Sequence, residues 1–326
     1  MMAMGMLAVA GIASAQDSPW GCPPKCVPVS CPVPEPKYIL ALSITPKKIL
    51  PSGADGKQYA LVSVMVTASD GSAVTGKKVV FTIQCLDNPG HKVEEHCADD
   101  AVILEKRMGK LSSYNCTVSD GVCGIHYEAS EAAAQVLIHA EMEDNPTVAD
   151  ETQVAVGVSL AAFPDANAYV FTGTDKKHWS NEYGTTALVA AGWQIAKAYG
   201  DKVQELPAEE KAKYATKLRF TDASLERGGL YDMWYWSKSV QAMVGACWTR
   251  PHRYHRFGRD LDIGLRGLDD YGQETEVNVK SLEKAIQEVI KNDIYIQGAD
   301  NFPIGGGGYF EENHYHVRIL GGDTEP

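Results

Sequence analysis

The sequence predicts a multidomain chain, an all-β sandwich followed by an α+β domain, and two observations predict it. From Tyr38 to Val156 apolar and polar residues alternate in short runs separated by turn signals, the period of half-buried strands. After Val156 the composition turns aromatic and the apolar spacing becomes helical, interrupted by short strand-like runs, which is the mixture of an α+β domain. A chain of 326 residues is long enough for two such cores.

In chain order, residues 3–15 are an apolar run ending in an A-x-A site before Gln16, so residues 1–15 read as a signal peptide, too short to span a bilayer. Residues 16–37 hold Pro19, Pro23, Pro24, Pro28, Pro32, Pro34 and Pro36, a density that excludes a helix and favours an extended linker. Leu40, Leu42 and Ile44, then Leu61 to Thr67, Val79 to Ile83 and Val136 to Ala140 read as strands, with Asp70-Gly71 and Asp120-Gly121 as turns. Strands at this spacing imply an antiparallel sandwich over residues 38–157.

In the second half, Thr186 to Tyr199 has helical apolar spacing and ends at Gly200, while Ser281 to Ile290 has Ser281 as N-cap and Lys284 four residues before Glu288. Asp293 to Ile296 and His314 to Ile319 read as strands. Trp234-Tyr235-Trp236 fits a core, or a surface that stacks on sugar or peptide.

The S-I-T-P, V-x-V-T-A-S-D-G, G-K-K-V-V-F-T and S-D-G-V-C-G segments, in that order, resemble bacterial Ig-like modules of the invasin type. The resemblance implies an Ig-like fold for the first domain, from which the acidic stretch between Cys85 and Cys116 departs as an insertion.

A net charge of -12 argues against a nucleic-acid partner, because a phosphate backbone demands a basic face. It also gives no attraction to anionic lipids or polyanionic polymers, so any such partner must be held by local contacts. No further stretch reaches transmembrane length. Eight cysteines behind a signal peptide point to disulfides and to a periplasmic or extracellular address. Cys85, Cys97, Cys116 and Cys123 allow three pairings, and a bridge between Cys116 and Cys123 across the Asp120-Gly121 turn is one of them. Cys247 reads as a buried or bridged residue rather than a nucleophile.

Four of the nine histidines fall in two short runs, Pro251-His252-Arg253-Tyr254-His255-Arg256-Phe257-Gly258-Arg259-Asp260-Leu261-Asp262-Ile263 and Asn313-His314-Tyr315-His316-Val317-Arg318. An H-x-H pair alone arises by chance about 0.25 times in a chain of this composition, but H-x2-H with Gly and Asp at fixed offsets falls to about 10⁻³. Imidazole and carboxylate are the ligands of catalytic Zn2+, three from protein with one position open. His255, Asp262 and His316 supply those three. The plainer alternative is a surface turn in which Arg256 and Arg259 pair with Asp260 and Asp262.

H-x2-H-x2-G-x-D-x-D-I followed by H-x-H-V-R resembles the penicillin-insensitive murein endopeptidases, within the wider zinc peptidases that include D-Ala-D-Ala carboxypeptidases and the lysostaphin type. Ser224-Leu225-Glu226-Arg227-Gly228-Gly229 is similar to the S-L-x-x-G-G loop that precedes their zinc motif, and the likeness covers residues 160–322. It implies a zinc metallopeptidase domain there, with His255, Asp262 and His316 on the metal and His252 on it or close by. It also implies that His314 lies beside the metal water as base or transition-state stabiliser.

Asp260 and Asp262 alternate with Leu261 and Ile263, so both carboxylates share one strand face, Asp260 placed to hydrogen-bond a ligand imidazole. Glu311 and Glu312 are rival bases, since related enzymes place a Glu just before the last ligand, and here Asn313 stands three residues before His316. Gly305 to Gly308 would admit a peptide backbone closely or serve as slack. Arg227 and Arg250 are candidates for a substrate carboxylate. The function expected is hydrolysis of a peptide bond in peptidoglycan stem peptides or cross-links. The alternatives are a non-catalytic envelope adhesion or binding protein, a D-Ala-D-Ala dipeptidase or carboxypeptidase, and a peptidase acting on protein.

Overall fold

The computed structural model describes residues 37–53, 56–90, 101–172, 181–230, 233–237, 242–246, 255–290 and 314–318. The signal peptide, the proline-rich strip, Cys97, Cys247, the Asp293 to Ile296 run and the Gly305 to Gly308 loop lie outside the described residues. Residues from Tyr38 onward form one compact unit by their contacts. Among the described residues no helix is long and apolar enough to cross a membrane.

Alternation builds the first half. Its strands are β1 (Tyr38–Thr45), β2 (Lys48–Ile49), β3 (Tyr59–Ala68), β4 (Lys78–Asp87), β5 (Lys110–Leu111), β6 (Asn115–Thr117), β7 (Val122–Glu128), β8 (Ala134–Met142) and β9 (Asn145–Val156). They form two sheets, β1-β3-β7-β5 and β2-β9-β8-β4-β6. Pairing is antiparallel except between β2 and β9. On β3, Ala60, Val62, Val64 and Val66 are buried while Tyr59, Leu61 and Met65 are exposed. Together with Phe81 on β4 and Val136, Ile138 and Ala140 on β8, that buried row belongs to one apolar core. Each fully buried Val, Ile or Phe there contributes about 1.5–3 kcal/mol of transfer free energy.

Asp120 and Gly121 both adopt positive φ, the conformation of a tight hairpin turn. The turn sets Cys116 of β6 and Cys123 of β7 6.1 Å apart at Cα, and they are disulfide-bonded. The acidic stretch after Cys85 is more than a loop, for Ala101–Met108 forms helix α1.

The second half has its own core. Its strands are β10 (Ala161–Ala162), β11 (Tyr169–Phe171), β12 (Tyr183–Gly184), β13 (Lys217–Asp222), β14 (Met233–Ser237), β15 (Ala242–Ala246), β16 (Asp260–Leu268), β17 (Glu274–Glu276) and β18 (His314–Arg318). Its helices are α2 (Thr186–Gln204), α3 (Ala208–Lys211) and α4 (Val279–Ile290). The main sheet runs β11-β13-β16-β17, with β18 also paired to β16. Leu188, Ile195, Tyr199 and Val203 of α2 pack with Leu282, Ile286 and Val289 of α4 and with Leu261, Ile263, Tyr315 and Val317 of the sheet. The Trp234-Tyr235-Trp236 cluster lies on β14, which pairs with β15, and its side chains lie outside the described residues.

Three details correct the sequence reading. Helix α2 does not end at Gly200 but runs through it, because the buried face continues to Val203 and outweighs the modest helix cost of one glycine. The α4 cap is Asn278, whose Oδ1 accepts from Ser281 N at 3.0 Å, so Ser281 lies inside the first turn. Glu288 takes its partner from the neighbouring helix, Lys202 of α2, rather than from Lys284.

The two halves meet along a backbone seam. Leu230 N donates to Glu131 O at 3.0 Å and Val158 N to Arg227 O at 2.9 Å, while the adjoining Gly229 N donates within the second half, to Arg256 O at 2.8 Å. Gly229 has φ +82°, and a Cβ there would stand 2.4 Å from Ala133 N and 2.8 Å from Ala132 C. Gly229→Ala is therefore expected to cost about 2 kcal/mol or more, read as a lower denaturant midpoint in equilibrium unfolding. An unchanged midpoint would mean that the seam has room the structure denies.

Candidate metal centre

The site is a consequence of register. In β16 the apolar residues Leu261 and Ile263 are wholly buried in the core, which turns Asp260 and Asp262 to the opposite face. In β18 the same alternation buries Tyr315 and Val317 and sends His314 and His316 to the face of the carboxylates. Antiparallel pairing then sets Asp262 opposite His316, Asp260 opposite Arg318 and Gly264 opposite His314. Cross-strand neighbours in direct register are within reach of one another.

His255 arrives from a single 3-10 turn, His255–Phe257, just before β16. Gly258 closes that turn at φ +64°. The His255 Nδ1–H donates to Ala223 O at 2.5 Å, which turns Nε2 toward Asp262 Oδ1, 3.4 Å away. His316 Nδ1 lies 2.6 Å from Asp262 Oδ1, and its Nε2 lies 2.8 Å from Asp260 Oδ2. His314 Nε2 stands 3.5 Å from Asp262 Oδ2. Arg318 grips Asp260 with two nitrogens, Nε to Oδ1 at 2.9 Å and Nη2 to Oδ2 at 3.3 Å.

His255, Asp260, Asp262 and His316 are all buried, at 5% exposure or less, and His314 is partly open. Four ionisable groups so far from water would be costly unless they neutralise one another. Burial alone would raise the Asp262 carboxyl, yet His255, His316 and His314 hold it well below the ordinary carboxylate range. Burial likewise opposes ionised Asp260, and His316, His255 and Arg318 hold it low. Burial would lower both imidazoles, but the carboxylates outweigh it: His255 rises, and His316 is pushed up to about 10.

Two overlapping donor sets result. Ligand atoms of His255, Asp260 and His316 lie within 4.8 Å of one another, and so do those of Asp262, His314 and His316. Neutral imidazole nitrogens with carboxylate oxygens are the donor chemistry of a catalytic zinc site. Asp260 accepts the His316 Nε2–H, so the Nδ1 beside Asp262 is the nitrogen left for an ion. The residues present therefore fit the metal.

Of the residues singled out by sequence, His255, Asp260, Asp262, His314 and His316 come together. His252, Arg250, Glu311, Glu312 and Asn313 lie outside the described residues. Arg227 is exposed and lines two clefts at the seam, of about 370 and 310 Å³, apart from the His–Asp contacts given above. The alternative pairing of Arg256 with the aspartates is corrected: Arg256 turns to the sandwich, and Arg318 takes Asp260.

Sequence reasoning missed Asp222 and Arg318. Asp222 of β13 is the register partner of Asp262 and accepts from Asn181 Nδ2. Burial first, and then the Asp262 charge, raise its carboxyl to about 7 against the pull of His255, His314 and Asn181. It lies two residues before the S-L-x-x-G-G loop but outside that motif. Arg318 stands two residues after His316, and the strand period alone places it on the same face.

A pH prediction follows from His316. Zinc requires its neutral imidazole, yet without metal Asp260 and Asp262 keep it protonated below about pH 10, with Arg318, His255 and His314 alongside. Zinc binding near neutrality is expected to release a proton there, and apparent affinity to fall about tenfold per unit drop in pH for each proton displaced. Calorimetry in buffers of different ionisation enthalpy measures the release, and pH-independent binding would exclude His316 as a ligand.

No family model and no characterised relative matches the chain. Among solved structures it is similar to the D00-D0 domain of intimin, at 14% identity and TM-score 0.26 over 37% of this chain and 48% of that one. It is also similar to the Yersinia pseudotuberculosis adhesin InvE, at 10% identity and TM-score 0.31 over 87% and 70%. The Escherichia coli adhesin FdeC gives 10% identity and TM-score 0.26 over 86% and 55%. The chain thus spans about half the length of the intimin fragment. These neighbours are bacterial Ig-like adhesin domains, and likeness at this level assigns no activity.

Proposed function

We propose that this chain is a zinc-dependent peptidase of the cell envelope, cutting a peptide bond in peptidoglycan stem peptides or cross-links. The observation that carries it is the approach of His255 Nε2 and His316 Nδ1 to the same buried oxygen, Asp262 Oδ1, at 3.4 and 2.6 Å, with Asp260 against the other nitrogen of His316 and Arg318 holding Asp260. When bound, zinc would lower the pKa of a coordinated water from about 15.7 toward about 7 and polarise the scissile carbonyl. The chain's own residues do the rest. His255, Asp262 and His316 would hold the ion. Asp260 takes the His316 Nε2–H and keeps that ring in place. His314, beside Asp262 and partly open, takes or steadies the proton as the carbonyl carbon becomes tetrahedral. Asp222, half-ionised near neutrality, is a second group able to hold a proton there. The murein endopeptidase resemblance supplies the substrate class, and the Cys116–Cys123 disulfide supports an exported chain.

The test is purified protein incubated with intact sacculi, with and without chelator, and mass spectrometry of released muropeptides. Chelator-sensitive release supports the reading. Cleavage of D-Ala-D-Ala or casein instead would keep the enzyme and change its substrate.

A second reading, an envelope adhesion protein, draws on one feature of the sandwich. The outer face of the β1-β3-β7 sheet exposes Ile39, Tyr59, Leu61, Met65 and Val122, an apolar stretch on a surface that usually avoids one. Absence of chelator-sensitive cleavage on all three substrates would favour it.

A further inference from the structure

We propose that the N-terminal sandwich is a working part of the metal centre, joined to it through Arg256. This rests on the metal reading of the His–Asp cluster. Arg256 follows His255 in the same 3-10 turn, yet its side chain leaves the cluster and enters the sandwich. Its Nη2 donates to Ser52 O at 2.6 Å and to Glu131 O at 3.0 Å, and its Nη1 lies 3.7 Å from Glu131 Oε2. It is wholly buried, the largest side chain to be so among the described residues.

A buried guanidinium is tolerated only where acceptors are fixed in place for its donors. Here the acceptors are two main-chain carbonyls from separate loops of the sandwich. Ser52 and Ser130 are themselves joined, Ser52 N donating to Ser130 O at 2.8 Å. The fit is close: a Cβ on Gly53 would stand 2.3 Å from Arg256 Nη1. The Arg256 backbone is gripped as well, for its carbonyl accepts from Gly229 N, and a Cβ on Gly228 would stand 2.3 Å from that oxygen.

The adjacent residue, His255, is held by Ala223 O from the same glycine loop that meets the sandwich. The turn bearing a metal ligand is thus clamped between that loop and the sandwich. Arg256 is a positioning residue: it touches neither metal nor substrate, and it fixes the backbone from which His255 reaches Asp262. The sandwich, in this account, is more than a spacer that carries the catalytic half.

The test uses the full chain loaded with cobalt(II) in place of zinc, whose visible absorption reports ligand geometry. Arg256→Met, which keeps much of the volume and removes the donors, is expected to weaken metal affinity about tenfold or more and to alter the cobalt spectrum. Arg256→Lys, retaining one donor group, recovers part of both. Gly53→Ala perturbs the guanidinium from the sandwich side and is expected to shift the spectrum likewise. Should the Arg256 variants fail to fold, hydrogen exchange on the parent decides. By linkage, zinc must then slow amide exchange in the sandwich segments around Ser52 and Glu131.

Parental affinity and spectrum in a folded Arg256→Met overturn the proposal. So does a parent in which zinc leaves those sandwich amides unchanged. A parent that binds no metal overturns the metal reading itself, and this coupling with it.

Discussion

His316→Ala is expected to abolish metal retention and cleavage together. His316 is the one residue shared by both donor sets, and its two nitrogens bridge Asp260 and Asp262. Removing it leaves the buried carboxylates of Asp260 and Asp262 without the imidazole that bridges them, with His255, His314 and Arg318 among the described residues left to offset them. Losing one partner from such a buried set costs about 3–5 kcal/mol. The variant should therefore also unfold at lower denaturant. Metal analysis after zinc loading and dialysis, paired with muropeptide release, checks the first two expectations. A variant that keeps a full complement of zinc would remove His316 from the ligand set.

The second large effect separates holding the metal from using it. His314 shares the strand face of His316 but lies nearer the surface, 3.5 Å from Asp262. His314→Ala should keep zinc and lose muropeptide release by about 10²-fold or more, the usual worth of a positioned proton-transfer group. If His314→Ala cleaves at the parental rate, the role passes to another group. Glu311 and Glu312 are candidates from the sequence, and Asp222 is the candidate from the structure. Asp222→Asn, which keeps size and removes the titration, would then carry the loss.

Much of this was legible in the chain. Alternation at β3 and β8 placed the sandwich core, and the Asp120-Gly121 turn made the observed Cys116–Cys123 bridge one of three open pairings without choosing it. Period two also put Asp260 and Asp262 on one face of their strand and His314 and His316 on one face of theirs, since a strand leaves no other choice once Leu261, Ile263, Tyr315 and Val317 are buried. What could not be read was the pairing of those faces. Asp222 meets Asp262 through a cross-strand register set by the whole sheet, and the S-L-x-x-G-G loop that follows it does not include it. Arg256 misled for the same reason. Beside Asp260 and Asp262 in sequence it looks like their partner, but its acceptors, Ser52 and Glu131, are more than a hundred residues away. The end of α2 was misplaced because a local breaker, Gly200, lost to burial of Val203.

Zinc X-ray absorption on the loaded chain reads the ligand atoms themselves. About one zinc per chain is expected, bound by nitrogen and oxygen alone, with the scattering of at least two imidazoles. With eight cysteines in the sequence, sulfur ligation is the obvious competitor and is readily distinguished by its longer bonds of about 2.3 Å. Zinc on sulfur, or no retained zinc, would contradict a metal centre built on His255, Asp262 and His316.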